Sequence, residues 1–194
     1  YYVEFGAIDG HQDCNTFYFR ENEEWTGLLL ESGKWFPVAP NDEINLKIET
    51  VSKDNINSIF KKYNVPYEFD LLSVDIDSFD YWVTKEILTQ YSPRVVMVEV
   101  NVRFEPTESW RLKDDPNWDW NGTKWYGASP MAYKKMFNDA GYTPVYTHVD
   151  DLIAVRNDVL KENGFSEPEW NYVYPHSNVP LYNTHNMGGT QELI

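Results

Sequence analysis

Two long apolar runs constrain this chain most: FDLLSVDI at residues 69–76 and RVVMVEVNV at residues 94–102. Each run is continuous rather than alternating, which is typical of strands that are buried on both faces of a parallel sheet. The stretch between them, DYWVTKEILTQYS at residues 80–92, carries apolar residues at helical spacing. This order of elements predicts an α/β fold with helices on both faces of the sheet.

The same alternation continues on both sides of this unit. Further strands are predicted at residues 1–5, 26–31, 44–49, 143–149 and 151–157, and further helices at residues 54–64 and 129–141. The last two strands are close enough to pair as an antiparallel hairpin. Asp80 is the predicted N-cap of the helix at 80–92, and Ser129 that of the helix at 129–141.

The charge of the chain limits its partners. Its 194 residues include 31 acidic and 16 basic side chains, for a net charge of -15. This excess argues against nucleic acid and anionic membranes, because phosphate groups are bound by clustered Lys and Arg. It favours a neutral or cationic ligand or a metal held by carboxylates, although a solvated acidic surface would also explain it.

Three further features concern the setting of the domain. No apolar run approaches the roughly 18 residues of a membrane span, and the single cysteine, Cys14, fits a reducing, cytoplasmic compartment. The chain opens on strand-like YYVEF without an initiator Met, which favours a domain excised from a longer protein. Residues 103–127 and 164–194 are irregular and rich in aromatic residues, and long loops of this kind are usually functional when they are ordered.

The motif VEFGAIDG at residues 3–10 follows the first predicted strand. Gly6 and Gly10 permit close backbone approach to a ligand, and the carboxylate of Glu4 or Asp9 can accept a hydrogen bond from an ammonium or hydroxyl group. The motif lacks the G-x-G-x-x-G pattern, and its acids would repel a diphosphate. A cofactor without phosphates, such as S-adenosyl-L-methionine (SAM), fits better, while a tight turn without a ligand is the alternative.

Acidic residues also end three other predicted strands. Glu31 ends the second strand, where an acid can bind ribose hydroxyls. Asp75 and Asp77 end the central strand and are predicted to share one face of it, as are Glu99 and Asn101 on the next strand. Such oxygen ligands suit Mg²⁺ or Mn²⁺; helix capping and hydration are the alternative.

The order of these motifs resembles a class I SAM-dependent methyltransferase. Over residues 1–157 it is similar to the FkbM-like group, many of whose members O-methylate sugars or glycans; the most specific part is DLLSVDIDSFDYWV at residues 70–83. The resemblance implies a Rossmann-like sheet of order 3-2-1-4-5-7-6 with strand 7 antiparallel, and a methyltransferase domain at 1–157 followed by an irregular tail at 158–194 that packs on it.

The resemblance also implies roles for individual residues. SAM would lie over Gly6–Gly10, with Glu31 on the ribose and the segment from Thr50 near the adenine. The full predicted cofactor-binding set is Glu4, Gly6, Ala7, Asp9, Gly10, Asn15, Thr16, Glu31, Ser32, Thr50, Val51 and Asp75.

The implied activity is methyl transfer to a sugar hydroxyl. A divalent ion on Asp75, Asp77, Glu99 and Asn101 would lower the pKa of that hydroxyl; without metal, Asp77 or His148 would act as the base. The predicted catalytic residues are therefore Asp75, Asp77 and His148. Residues 103–127 would form a lid whose aromatic rings stack on the sugar, or would simply pack on the domain; the rings are those of Trp110, Trp118, Trp120, Trp125 and Tyr126.

Two other functions remain open at this point. An NAD-type oxidoreductase could use a similar sheet, although the acids stand where its diphosphate would bind. A non-enzymatic module could use the fold to bind a glycan or a protein partner. In a longer protein, a neighbouring glycosyltransferase domain would suit a glycan methyltransferase.

Overall fold

A computed structural model describes residues 1–115, 118, 120, 122–123, 125–174 and 191–194. Its strands, in chain order, are β1 (Tyr2–Phe5), β2 (Gly27–Glu31), β3 (Leu46–Ile48), β4 (Leu71–Val74), β5 (Val95–Glu99), β6 (Trp110–Leu112), β7 (Tyr142–His148), β8 (Asp151–Arg156) and β9 (Gln191–Leu193). Its helices are α1 (Phe17–Asn22), α2 (Ile56–Lys62), α3 (Asp80–Ile87), α4 (Pro130–Asp139), α5 (Asn157–Glu162) and α6 (Trp170–Val173).

Seven strands form one mixed sheet of order β3-β2-β1-β4-β5-β8-β7. Strands β1 to β5 are parallel to one another, and β8 is antiparallel to both β5 and β7. The labels differ slightly from the predicted order 3-2-1-4-5-7-6. The short strand β6 pairs with β9 outside this sheet, so the predicted strands 6 and 7 are β7 and β8 here. The architecture is α/β and is consistent with a Rossmann-like methyltransferase sheet.

Alternating side chains of the strands build a different core on each face of the sheet. Val3 and Phe5 of β1 belong to the large core, together with buried residues of α2, α3 and α4. Tyr2, on the other face, belongs to a small cluster next to Trp25, whose ring stacks on Phe19 of α1. Helices therefore lie on both faces, and the central strands are covered as their continuous apolar runs predict.

The two predicted N-caps have different outcomes. Ser129 caps α4, since its hydroxyl accepts a hydrogen bond from Ala132 N at 3.3 Å and Pro130 follows at the first helical position. The prediction for Asp80 is wrong. Asp80 is the first helical residue of α3, and its carboxylate accepts hydrogen bonds at 2.8 Å from Ile76 N and Ser78 N, so that it closes the preceding loop instead.

The tail that was predicted to be irregular contains α5, α6 and β9. Strand β9 pairs with β6, so the last residues of the chain return to the segment predicted as a lid. Trp170 Nε1 donates to Pro106 O at 3.1 Å, and Tyr174 OH donates to Val102 O at 3.1 Å. These two hydrogen bonds join the tail to the segment that follows β5. Residues 175–190 of the tail lie outside the described residues.

None of the helices described is long and apolar enough to cross a membrane.

Candidate functional site

A cavity of about 240 Å³ opens where β1, β2 and β4 end. This is the edge at which open α/β sheets bind their ligands. Of the residues predicted to bind the cofactor, six line this cavity: Gly6, Glu31, Ser32, Thr50, Val51 and Asp75. The structure thus brings together residues that are up to 69 positions apart in the sequence, since Gly6 and Asp75 are on the same wall.

The turn after β1 is held in a conformation that few residues adopt. Gly6 has a φ of 72°, and a Cβ atom there would lie 1.8 Å from the backbone oxygen of Asp75. Ile8 has a φ of 48°, which is rare for a β-branched residue, and its N–H donates to Glu31 Oε2 at 3.2 Å. Backbone strain of this kind clusters at ligand sites, and both residues line the cavity.

Glu31 is buried at the end of β2 and connects two loops of the cavity wall. Its Oε1 accepts hydrogen bonds from Ser32 Oγ at 3.1 Å and Gly33 N at 3.0 Å, and its Oε2 accepts from Ile8 N. A carboxylate offers about four acceptor positions. One of these remains for a ligand hydroxyl after the three internal bonds.

Glu4 lies beneath the turn and does not line the cavity. Its buried carboxylate accepts hydrogen bonds from Asn15 N at 2.7 Å and Thr16 N at 2.9 Å, from Thr16 Oγ1 at 2.5 Å, and from Cys14 Sγ at 3.3 Å. The buried Glu4 carboxylate therefore anchors the loop before α1 through its bonds to Asn15 and Thr16. The side chain of Asn15 also bonds within the protein, to Ser73 Oγ at 3.2 Å.

The other predicted residues of the motif shape the turn. Ala7 is fully buried in the small cluster. Asp9 is exposed and accepts hydrogen bonds from His11 N and Gln12 N, with the Gln12 bond the larger cause of the lowered pKa of Asp9. Gly10 has a φ of 78°, a left-handed conformation that glycine adopts more readily than other residues.

Asp75 and Asp77 both line the cavity, but not as neighbours on one strand face. Strand β4 ends at Val74, and Asp77 has a φ of 56°, so the alternation used for the prediction does not extend to them. Burial raises the pKa of Asp75 to about 8, and the charges of Asp80 and Asp77 add to the effect. Burial also raises the pKa of Asp77, helped by Asp150.

Glu99 lies at the end of β5 and is buried. Burial, followed by the charges of Asp80 and Asp75, raises its pKa to about 11. Its Oε2 atom has no hydrogen-bond partner among the described residues, and neither has the hydroxyl of the fully buried Tyr133. Burial therefore favours the neutral, protonated form of Glu99.

The predicted metal centre is not supported. The described part of the chain contains no group of three or more His, Cys, Asp or Glu side chains placed to hold a metal ion. Asn101, one of the four predicted ligands, is buried and already bonded within the protein: its Nδ2 donates to Tyr126 O and its Oδ1 accepts from Arg103 N, each at 3.3 Å.

His148 is exposed at the end of β7, where it pairs in register with Asp151. Burial raises the pKa of Asp151, with a further rise from Asp150 and an opposing effect from His148. His148 is therefore close to Asp151 but is not among the described residues of the cavity wall.

Among the described residues of the predicted lid, only Trp120 lines the cavity. Trp110 belongs to β6 and stacks on Phe104, and Trp118 packs edge-on against Phe79. Trp125 and Tyr126 are partly buried and also do not line it. Residues 116, 117, 119, 121 and 124 of this segment lie outside the described residues.

Two functional candidates escaped the sequence analysis. Trp35 and Phe36 line the cavity, and each is 53% exposed. Their position in GLLLESGKWF, directly after the predicted ribose acid, is a signal that could have pointed to them.

Comparison with known proteins adds little to this site. No protein-family model matches the chain, and no curated protein matches it significantly. Among solved structures, an O-methyltransferase family protein from Burkholderia thailandensis is similar with a TM-score of 0.47 and 11% sequence identity, over 80% of this chain. The chain spans about half the length of that protein, 50% of it being covered. At this TM-score the likeness carries no argument about activity, which has to come from the cavity itself.

Proposed function

We propose that this protein is a SAM-dependent O-methyltransferase and that its acceptor is a sugar hydroxyl of a glycan. One observation carries the proposal: the glycine turn at Gly6, the ribose-type acid Glu31 and the carboxyl group of Asp75 meet in one cavity at the ends of parallel strands. These are the parts that the resemblance to class I methyltransferases requires, and they come from three distant parts of the sequence.

The cavity wall suits SAM better than a phosphate-containing cofactor. Glu31, Glu49, Asp75 and Asp77 all contribute carboxyl groups to it. These groups favour a ligand with a sulfonium and an ammonium group, and they disfavour the diphosphate of NAD. We assign the ribose hydroxyls to Glu31 and the adenine to the wall formed by Thr50 and Val51.

The chain has two tasks in such a reaction. Bound SAM would supply a methyl group on a positively charged sulfur, which leaves as a neutral thioether when the acceptor oxygen bonds to the methyl carbon. The protein has to hold the acceptor oxygen in line with that methyl group. It also has to take up the hydroxyl proton as the new bond forms.

We assign the uptake of this hydroxyl proton to Asp75 and Asp77. Both line the cavity, and burial, followed by the charges of Asp80 and Asp77, raises the pKa of Asp75. Two carboxyl groups that repel each other tend to share one proton, so that one of them stays ionised. The neutral carboxyl group then donates a hydrogen bond to the substrate, and the ionised carboxylate accepts the proton of the hydroxyl that is methylated. His148 has no assigned part in this step, and no step involves a metal, because the donor set does not fit one.

Calorimetric titration of SAM into the purified protein tests the proposal, with NAD as the control. We expect saturable binding of SAM at micromolar concentrations and no heat from NAD. Absence of SAM binding would contradict the proposal and favour a binding module on the same fold, whereas binding of NAD alone would favour an oxidoreductase.

Asp75→Asn and Asp77→Asn then test the proton assignment, and Asp139→Asn, at an exposed position on α4, is the matched control. With SAM and a glycan acceptor, each site variant should lose at least about 100-fold in kcat, in keeping with the usual effect of a general base. Full activity in both site variants would remove these residues from the proton transfer.

A further inference from the structure

The rim of the cavity carries an aromatic corner, formed by Trp35, Phe36 and Trp120, that the cofactor assignment leaves unused. Trp35 and Phe36 are each 53% exposed although they line a cavity. Exposed aromatic rings that border a pocket are typical of ligand contacts, because their faces offer a large contact area at low entropic cost.

The geometry of the corner is that of two perpendicular walls. The ring centres of Trp35 and Trp120 are 5.6 Å apart and their planes make an angle of 77°. The indole N–H of Trp120 is engaged with Thr123 O at 2.8 Å, which fixes the orientation of the ring. Lys34 Nζ lies 5.3 Å from the ring centre of Trp35 and covers part of one face. A ring-shaped ligand can stack on one wall and meet the other with its edge.

The polar groups next to the corner select the chemistry of this ligand. On the same cavity wall, Asp13, Glu49 and Asp77 offer hydrogen-bond acceptors, whereas Lys34 is the one cation among the described lining residues. A ligand with several hydroxyl donors satisfies such acceptors, and an anionic ligand is repelled. A neutral sugar combines these donors with an apolar C–H face that stacks on an indole ring.

The cavity is too small to enclose a cofactor and an acceptor together. Its volume of about 240 Å³ is below the roughly 300–1,000 Å³ of typical small-molecule sites. A nucleoside-sized cofactor that contacts Glu31, Thr50 and Val51 would therefore occupy most of it, and whatever reacts with that cofactor must approach from the rim.

We propose that Trp35, Phe36 and Trp120 form the acceptor subsite, which binds a neutral pyranose ring by stacking. This inference rests on the proposed function and adds the residues that select the acceptor, two of which lie outside the predicted lid.

Saturation-transfer NMR with three probes tests the subsite: methyl β-glucopyranoside, methyl β-galactopyranoside and methyl α-mannopyranoside, each with and without SAM. At least one probe should receive saturation at its ring C–H protons. Trp35→Ala should weaken that binding at least about five-fold while the SAM affinity from calorimetry changes less than two-fold. Tyr67→Ala is the matched control, because this aromatic side chain is 68% exposed and is not part of the cavity wall.

The outcomes separate this inference from the proposed function. No saturation transfer to any probe overturns the subsite, even if SAM binds. A loss of SAM affinity in Trp35→Ala that equals the loss of sugar binding also overturns it, because the corner would then belong to the adenine. Sugar binding that depends on Trp35 in a protein that does not bind SAM would uphold the subsite and reject methyl transfer.

Discussion

The backbone oxygen of Asp75 occupies the place that a Cβ atom at Gly6 would need, with only 1.8 Å between the two positions. This close approach joins the turn after β1 to the end of β4. The absence of a side chain at Gly6 is therefore a packing requirement as well as a conformational one.

Gly6→Ala should destabilise the protein by at least about 2 kcal/mol, because the strain of a positive φ is added to a clash with rigid backbone. Gly141→Ala is the matched control, since Gly141 has a φ of 82° but no described atom within 4 Å of its Cβ position. The control should cost about 1–2 kcal/mol. Chemical denaturation measures both, and equal losses would refute the contact.

Glu4→Gln tests the assignment of Glu4 to the loop anchor. The carboxylate accepts from two backbone N–H groups and a hydroxyl, and an amide would turn one acceptor into a donor. The free energy of unfolding should fall by roughly 1.5–3 kcal/mol, the usual range for hydrogen bonds to a charged group. A stable variant that had lost SAM affinity would instead return Glu4 to the cofactor site.

Glu31→Gln should weaken SAM binding by about 1–3 kcal/mol, because the ligand-facing oxygen loses its charge while the shape of the side chain is kept. Asp139→Asn should leave the affinity unchanged, since Asp139 is exposed on α4. Calorimetry gives both values, and an unaffected Glu31→Gln variant would leave the ribose without its assigned acceptor.

The stability of the protein should depend on pH through Asp75. Its pKa is raised to about 8, above the value of about 4 expected for an unfolded chain. The folded state therefore binds the Asp75 proton more tightly than the unfolded chain does. The stabilisation that this proton gives the folded state is complete below about pH 4 and is lost as the pH rises to about 8.

Asp75→Asn removes the contribution of Asp75 to this dependence, while the contribution of Glu99 remains, and should raise the melting temperature at pH 8 relative to the wild type. A gain of about 1 kcal/mol corresponds to roughly 2–4 °C for a chain of this size. Thermal unfolding at pH 5 and pH 8 measures the effect. A wild type and a variant that respond equally to pH would show that Asp75 is not the buried acid responsible.

Local patterns in the sequence were sufficient to predict the strands of the seven-stranded sheet. The runs at residues 69–76 and 94–102 became β4 and β5, because strands covered on both faces have to be apolar throughout. Ser129 became the cap of α4 because the spacing of Ser, Pro and Gly around a helix is itself a local property. The cavity residues Gly6, Glu31 and Asp75 were found for the same reason, since each marks the end of a strand.

The sequence could not determine where individual side chains lie relative to the cavity. Glu4 precedes the glycine turn as a ligand-binding acid would, yet tertiary packing directs its carboxylate to the loop of Asn15 and Thr16. Asp77 lies beyond the end of β4 with a positive φ, so strand alternation did not apply to it. Trp35 reached the cavity rim together with Trp120, which is 85 positions away in the chain. Periodicity and motif spacing report local geometry, whereas these three arrangements depend on contacts between segments that meet only after the sheet has formed.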